Sequence, residues 1–209
     1  LNVTSEGHGM FWWGGYGIST EHTAFDNLKK GISAPQSGSI EKNGSTVAQQ
    51  IGGQIFVDTW GLVFPCDYKK AGEMAAISAS VSHDGSALDG ARFVAGCISH
   101  AFEENDVEKV VKDVSSILDE GSEYRNMIEK VLDFYRSNPD DWRKCFLYIK
   151  SLYSDKKKYP GVVHVIPNSA VIVLSLLYSR GDFSKGVLIA TMCGWDTDCN
   201  AGNVGTILG

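Results

Sequence analysis

Apolar residues recur at steps of three and four along most of the chain, a pattern typical of amphipathic helices that bury one face. The clearest stripe consists of Val107, Val110, Val111, Val114, Ile117 and Leu118. It predicts a helix capped by Asn105 or Asp106 and stopped by Gly121. Similar stripes predict two more helices, at residues 124–135 and 142–153.

Other segments predict helices of different character. Residues 71–81 and 87–102 are rich in alanine, and small side chains let neighbouring helices approach closely. Residues 168–178 are apolar throughout, and their length together with the preceding Pro167 favours a buried helix over a buried strand. Residues 45–61 predict one further helix.

Two features of the N-terminal half are less regular. The predicted helix at residues 45–61 contains Gly52 and Gly53, and a glycine inside a helix costs about 1 kcal/mol relative to alanine. Close helix packing or room for a ligand would account for the pair. Residues 31–44, rich in Gly, Ser and Pro, predict a loop between helices.

These elements predict an all-α fold, arranged as a compact orthogonal helical bundle. A length of 209 residues fits one domain better than two. We expect residues 1–209 to form that single domain, cut short at both ends, because the apolar helix that follows Asn200 stops without a cap or a partner.

Charge and composition limit the classes of partner. The net charge is −6 and the basic residues are scattered, apart from the run at 156–158, so we expect no nucleic-acid partner. The longest apolar run, residues 170–178, is far shorter than the roughly 20 residues that span a membrane. Five separated cysteines without a Cys-x-x-Cys pair are typical of reduced thiols, and residues 1–6 lack the features of a secretion signal. We therefore expect a cytoplasmic protein without a membrane partner.

The candidate chemistry is clearest near the C-terminal end. Asp196 and Asp198 stand two apart in a loop that leads into a helix, so both carboxylates can point at one cation. Carboxylate oxygens suit hard cations such as Mg²⁺. The pair also resembles the start of an EF-hand loop, but Ala201 and Ile207 occupy the positions where that loop requires Gly and Glu. An Asx turn that caps the helix is the alternative explanation.

The sequence Gly-Trp-Asp-Thr-Asp-Cys-Asn at residues 194–200, followed by small residues, resembles the Gly-Gly-Asp-Thr-Asp-Thr-Asn motif of ADP-ribosylglycohydrolases, of the dinitrogenase reductase-activating glycohydrolase type. In that family the two aspartates and the last threonine hold paired divalent metals, usually Mg²⁺. The resemblance implies that Asp196 and Asp198 bind one or two ions, Mg²⁺ first and Mn²⁺ second. Cys199 replaces the threonine, and a neutral thiol is a poor match for Mg²⁺.

A second segment, Ser-Thr-Glu-His-Thr at residues 19–23, resembles the family's Thr-Asp-Asp-Thr motif. The resemblance implies that Thr20, Glu21 and His22 supply the remaining metal ligands from a helix N-terminus. His22 replaces an acid, and imidazole suits Zn, Mn or Fe better than Mg²⁺. Capping of the helix by Ser19 or Thr20 explains the same residues without a metal.

Substrate contacts and catalytic groups follow from the same resemblance. Residues 79–85 resemble the family's Ser/Thr-His loop near the substrate, which implies contacts from His83 and Asp84; a helix C-cap is the other explanation for His83. His164 precedes a helix boundary shared with the family and is a further candidate for a substrate contact. Glu21 and Asp198 are the expected catalytic carboxylates.

The general base has no clear counterpart, because an acidic loop residue of the family is missing from the match. Asp58 is a candidate for a cleft carboxylate or, equally, for a hydrogen-bonded core acid.

The function implied by the resemblance is metal-dependent hydrolysis of the glycosidic bond at C1″ of ADP-ribose attached to a protein or a small acceptor. The partner would be an ADP-ribosylated protein or a small ADP-ribose conjugate. Cys199 and His22 favour one alternative, a module that binds ADP-ribose or a nucleotide without turnover. A hydrolase of another glycoside or nucleoside is the other alternative. A purely structural helical domain would leave the acidic pair unexplained.

Overall fold

Helices joined by turns and loops make up the described part of the chain, residues 14–209 of the computed structural model, and no β-strand occurs within that range. The all-α fold is therefore confirmed. Residues 1–6, used above for the secretion-signal prediction, and His8 lie outside the described residues. The helices are, in chain order, α1 (Thr20–Lys29), α2 (Ile40–Asn43), α3 (Ser45–Ala48), α4 (Gly52–Ile55), α5 (Asp58–Val63), α6 (Tyr68–Ala79), α7 (Ser86–His100), α8 (Val107–Ser115), α9 (Glu123–Ser137), α10 (Trp142–Tyr153), α11 (Val165–Ser179), α12 (Phe183–Cys193) and α13 (Thr197–Leu208).

Helix α11 is the centre of the core, and every one of its residues is buried. A helix that is apolar on all sides needs neighbours on all sides, and α9, α10, α12 and α13 pack around it. The predicted core helix at residues 168–178 is confirmed, but it begins earlier because the His164 side chain accepts a hydrogen bond from the backbone N–H of Ile166 at 3.2 Å. Pro167 is tolerated in the first turn, where its nitrogen needs no helical partner.

The helices predicted from the Val107 stripe, from the two alanine-rich segments and at residues 124–135 and 142–153 are also confirmed, with ends shifted by a few residues. Asp106 caps α8 by accepting from the backbone N–H groups of Glu108 and Lys109, and that helix ends at Ser115. Helices α6 and α7 pack closely against each other, with Ala71, Ala75 and other fully buried alanines in the core.

The continuous helix predicted at residues 45–61 is wrong, since the segment forms the three short helices α3, α4 and α5. The break has a tertiary cause. The backbone N–H of Ile51 donates to the carbonyl of Val163 at 2.9 Å, and that of Val165 donates to the carbonyl of Gln49 at 3.0 Å. This antiparallel bridge uses backbone groups that a continuous helix would need.

Two further differences concern elements that the pattern did not show. Residues 31–44, predicted as a loop, contain a 3₁₀ turn at Gln36–Gly38 and helix α2. Helix α12 was not predicted, because Leu188 and Met192 are apolar yet more than half exposed, and no polar face marks the helix. Among residues 14–209, no helix is both long and apolar enough to cross a membrane.

Candidate active site

One cavity of about 650 Å³ lies where the N-terminus of α1, helix α4 and the residue before α13 meet. Thr20, Glu21 and Asp196 all line it. The fold therefore brings together two motifs that are about 175 positions apart in the sequence. The volume is in the range of small-molecule sites, roughly 300–1,000 Å³.

The N-terminus of α1 presents two oxygen-bearing side chains to this cavity. Ser19 is the N-cap and accepts from the backbone N–H of His22 at 3.2 Å, so the predicted cap is confirmed. Thr20 is buried, and its hydroxyl donates to the carbonyl of Val47 at 2.5 Å, which leaves the hydroxyl oxygen with lone pairs to offer. The Ser19 hydroxyl donates to Glu21 Oε2 at 3.2 Å.

His22 points elsewhere. Its Nδ1 accepts from the backbone N–H of Gly15 at 3.2 Å, and its Nε2 lies 3.8 Å from Asp26 Oδ2. Among the described residues that line the cavity, His22 does not occur. The geometry therefore supports Thr20 and Glu21 as candidate ligands beside Asp196 but lends no support to His22.

The loop before α13 is held in an unusual conformation. Gly194 and Trp195 both have positive φ, 77° and 56°, and Trp195 adopts it despite its Cβ. The indole packs edge-on against Phe146 at 5.7 Å between ring centroids. Below the loop, the buried Asn168 Oδ1 accepts from the backbone N–H of Asp196 and from Asn200 Nδ2, each at 3.0 Å. These contacts fix the backbone from which the Asp196 side chain extends.

Asp196, Asp198 and Cys199 form a group whose ligand atoms lie within 4.8 Å of one another, and no other group of this kind occurs in residues 14–209. Burial raises the pKa of Asp196, and the neighbouring Asp198 raises it further. The hydrogen bond with Asp196 lowers the pKa of Asp198. Two close carboxylates that raise each other's cost of ionisation suit a divalent cation, which would neutralise their charges.

Cys199 fits such a cation poorly. Burial, and then the charge of Asp196, raise the pKa of the Cys199 thiol to about 12, so the thiol stays protonated at neutral pH. A protonated thiol is a weak ligand for Mg²⁺. The carboxylates of the group match a hard cation, and the thiol does not.

Replacing Cys199 by threonine should therefore strengthen Mg²⁺ binding by about tenfold, the size of effect that changed ligand surroundings produce. Titration calorimetry with Mg²⁺ would measure the difference. The substitution Cys199→Val, which matches threonine in shape but offers no oxygen, is the control. Equal Mg²⁺ affinity of the threonine and valine variants would contradict the expectation.

Asp84, His164 and His83, the three predicted substrate contacts, interact with other residues of the protein itself. Asp84 accepts from the backbone N–H groups of Ile40 at 2.9 Å and Gly85 at 2.7 Å, which ties the loop before α7 to α2. His164 caps α11, and His83 is almost fully buried behind Glu21. None of the three is among the described residues that line the 650 Å³ cavity, so direct substrate contact by them stays a prediction that this geometry does not support.

The capping role of His164 has a consequence for stability. Burial lowers its pKa to about 4, and a protonated Nδ1 could no longer accept from Ile166. Because the folded-state pKa lies below the unfolded value near 6.5, the stabilisation is complete above pH 6.5 and is lost as the pH falls toward 4. We expect this loss to reach up to about 3 kcal/mol.

Urea unfolding at several pH values between 7 and 4 would measure it, with His164→Asn as the comparison, since asparagine caps helices well and does not titrate in this range. Between pH 7 and pH 4, the free energy of unfolding should fall less in His164→Asn than in the wild type. Parallel pH profiles of the two proteins would contradict the assignment.

A second, smaller cavity of about 260 Å³ contains Asp58 and Asp198. Thr206 Oγ1 donates to Asp58 Oδ2 at 3.0 Å, and Asn203 Nδ2 donates to Asp58 Oδ1 at 3.4 Å. Burial raises the pKa of Asp58, and a raised pKa is the direction of shift that favours proton transfer by a carboxyl group. The side chain of Ile55 lines both cavities. Asp58, which the sequence left open as a cleft or core acid, is thus a third carboxylate close to the acidic group.

The fold and the site define a helical protein with a carboxylate-lined cleft between helix N-termini. Residues 4–209, nearly the whole chain, match the family model described as ADP-ribosylglycohydrolase, and the chain belongs to that family. No curated protein and no solved structure matches the chain. The family implies a glycosidase-type hydrolase that acts on ADP-ribosylated substrates and generally depends on a divalent metal.

Proposed function

We propose that this protein hydrolyses the glycosidic bond at C1″ of ADP-ribose attached to a protein side chain or a small acceptor. The observation that carries the proposal is the convergence of Thr20, Glu21 and Asp196 on one cavity of suitable size. Asp196, Asp198, Thr20 and Glu21 would hold one or two divalent ions, Mg²⁺ or Mn²⁺. Such an ion, when bound, polarises oxygen atoms of the substrate and orients the ribose hydroxyls and water.

Catalysis and proton transfer would be carried out by carboxylate side chains of the protein. Glu21 and Asp198 are the carboxylates that we propose as catalytic. Glu21 lines the larger cavity together with Asp196, whereas Asp198 belongs to the same acidic group as Asp196 and lines the smaller cavity. We add Asp58 as the group that exchanges a proton with water or the leaving group. Its raised pKa favours this exchange, and it shares a cavity with Asp198.

The first test is removal of the metal. Purified protein incubated with an ADP-ribosylated substrate should release ADP-ribose when Mg²⁺ or Mn²⁺ is present, as measured by chromatography. Release should fall to background after treatment with a chelator and return when the metal is restored. Release that persists in excess chelator would contradict metal dependence.

A binding module without turnover is the second candidate, and the protonated thiol of Cys199 within the acidic group favours it. Calorimetry that shows tight ADP-ribose binding, together with no release under any divalent metal, would select it over the hydrolase. We also propose a cytoplasmic location, and the five cysteines, which form no disulfide among residues 14–209, support this proposal.

A further inference from the structure

His83 carries a buried nitrogen with nothing bound to it. The residue is only 1% exposed, and its Nε2 is one of the few buried side-chain atoms of residues 14–209 without a hydrogen-bond partner. Buried polar atoms without partners are uncommon in folded proteins, and each one calls for a physical explanation. Here the explanation is the acidic group that Nε2 faces.

The nearest acidic group to His83 Nε2 is the Glu21 carboxylate, with Oε1 at 3.8 Å. On the other side of the ring, Nδ1 lies 2.8 Å from Ser82 Oγ. If the Ser82 hydroxyl donates to Nδ1, the ring proton sits on Nε2 and is directed at Glu21.

Gly52 makes the approach of the two side chains feasible. A Cβ at this position would collide with Glu21 Oε1 and lie 2.8 Å from His83 Nε2. The glycine at the start of α4 therefore leaves the space in which the carboxylate and the imidazole face each other. For Gly52, the sequence left close helix packing and room for a ligand as alternative reasons. The structure shows that the room beside this glycine holds the side chains of Glu21 and His83.

We propose, building on the function proposed above, that His83 is a positioning residue: its Nε2–H directs one oxygen of Glu21, so that the other faces the cleft toward Asp196. The Ser19 hydroxyl holds Glu21 Oε2 from the opposite side. A shift of less than 1 Å would bring Glu21 Oε1 and His83 Nε2 within hydrogen-bond distance, and groups that orient ligand side chains in this way typically change metal affinity by 10- to 100-fold.

Two substitutions distinguish the role of His83 Nε2 from that of His83 Nδ1. In His83→Gln the amide nitrogen can take the place of Nε2 and still donate to Glu21, whereas in His83→Asn the shorter amide reaches only the place of Nδ1. We expect His83→Asn to weaken Mn²⁺ binding, followed by electron paramagnetic resonance, by roughly 10- to 100-fold, and His83→Gln to stay near the wild type. Equal affinity of both folded variants, whether retained or lost, would overturn the proposal.

A second measurement does not require a His83 variant or any activity. The ¹⁵N chemical shifts of the His83 ring should change in Glu21→Gln and stay unchanged in Asp26→Asn, whose carboxylate faces His22 instead. Unchanged His83 shifts in Glu21→Gln would overturn the proposal even if the protein is an active hydrolase. The wild type could bind no Mn²⁺ and release no ADP-ribose while the His83 ring shifts still change in Glu21→Gln. That result would refute the proposed function and leave the contact between His83 and Glu21 established.

Discussion

Replacement of Asp196 by alanine should reduce the release of ADP-ribose by at least about a hundredfold, because the proposed metal ion would lose a charged ligand and with it several kcal/mol of transition-state stabilisation. Asp196 is the member of the acidic group that lines the same cavity as Thr20 and Glu21. The measurement is kcat/KM for an ADP-ribosylated substrate, together with Mn²⁺ affinity. Both should fall in the variant.

The matched control is Asp133→Asn on α9, whose side chain is 81% exposed and lies 3.8 Å from Arg136. This control removes one negative charge at a residue that lines neither cavity, and it should leave both kcat/KM and Mn²⁺ affinity unchanged. Circular dichroism of the two variants establishes that each is folded. Hydrolysis by a folded Asp196→Ala protein at the wild-type rate would refute the proposed site.

Asn168→Ala should lower the free energy of unfolding by at least about 2 kcal/mol, since each buried polar group left unpaired costs about 1–3 kcal/mol. Two donors lose their partner, the backbone N–H of Asp196 and the Nδ2 of Asn200. The carbonyl of His164 loses the hydrogen bond from Asn168 Nδ2 at 2.9 Å. The variant should also lose Mn²⁺ affinity, because the Asp196 loop is released. Urea unfolding and Mn²⁺ titration measure the two effects.

Ser175→Ala on the same helix provides the comparison. Ser175 is fully buried, and its hydroxyl donates only within the helix, to the carbonyl of Val171 at 2.7 Å. We expect a change of about 1 kcal/mol in stability and none in Mn²⁺ affinity. If both variants lose the same stability and both keep full Mn²⁺ affinity, Asn168 has no special role in holding the Asp196 loop.

The correct predictions concern features that are set by residues close together in the sequence, and the incorrect ones concern features that are not. The helix with the Val107 stripe is predicted together with a cap at Asn105 or Asp106, of which Asp106 is the cap, because both the stripe and the cap depend on residues within a few turns. Helix α12 lacks a polar face, so its sequence contained no such pattern. The break at Gln49 and Ile51 depends on backbone hydrogen bonds to residues more than 100 positions away, which no local pattern reveals.

The candidate site divides in the same way. The sequence by itself determined the helical class, the acidic pair at Asp196 and Asp198 and a helix cap at Ser19 or Thr20, since each is a matter of residue type and short spacing. Only the tertiary structure decided which neighbouring side chains share a cavity. Adjacent residues on a helix point about 100° apart, so Glu21 lines the cleft beside Asp196 while His22 faces Gly15 and Asp26.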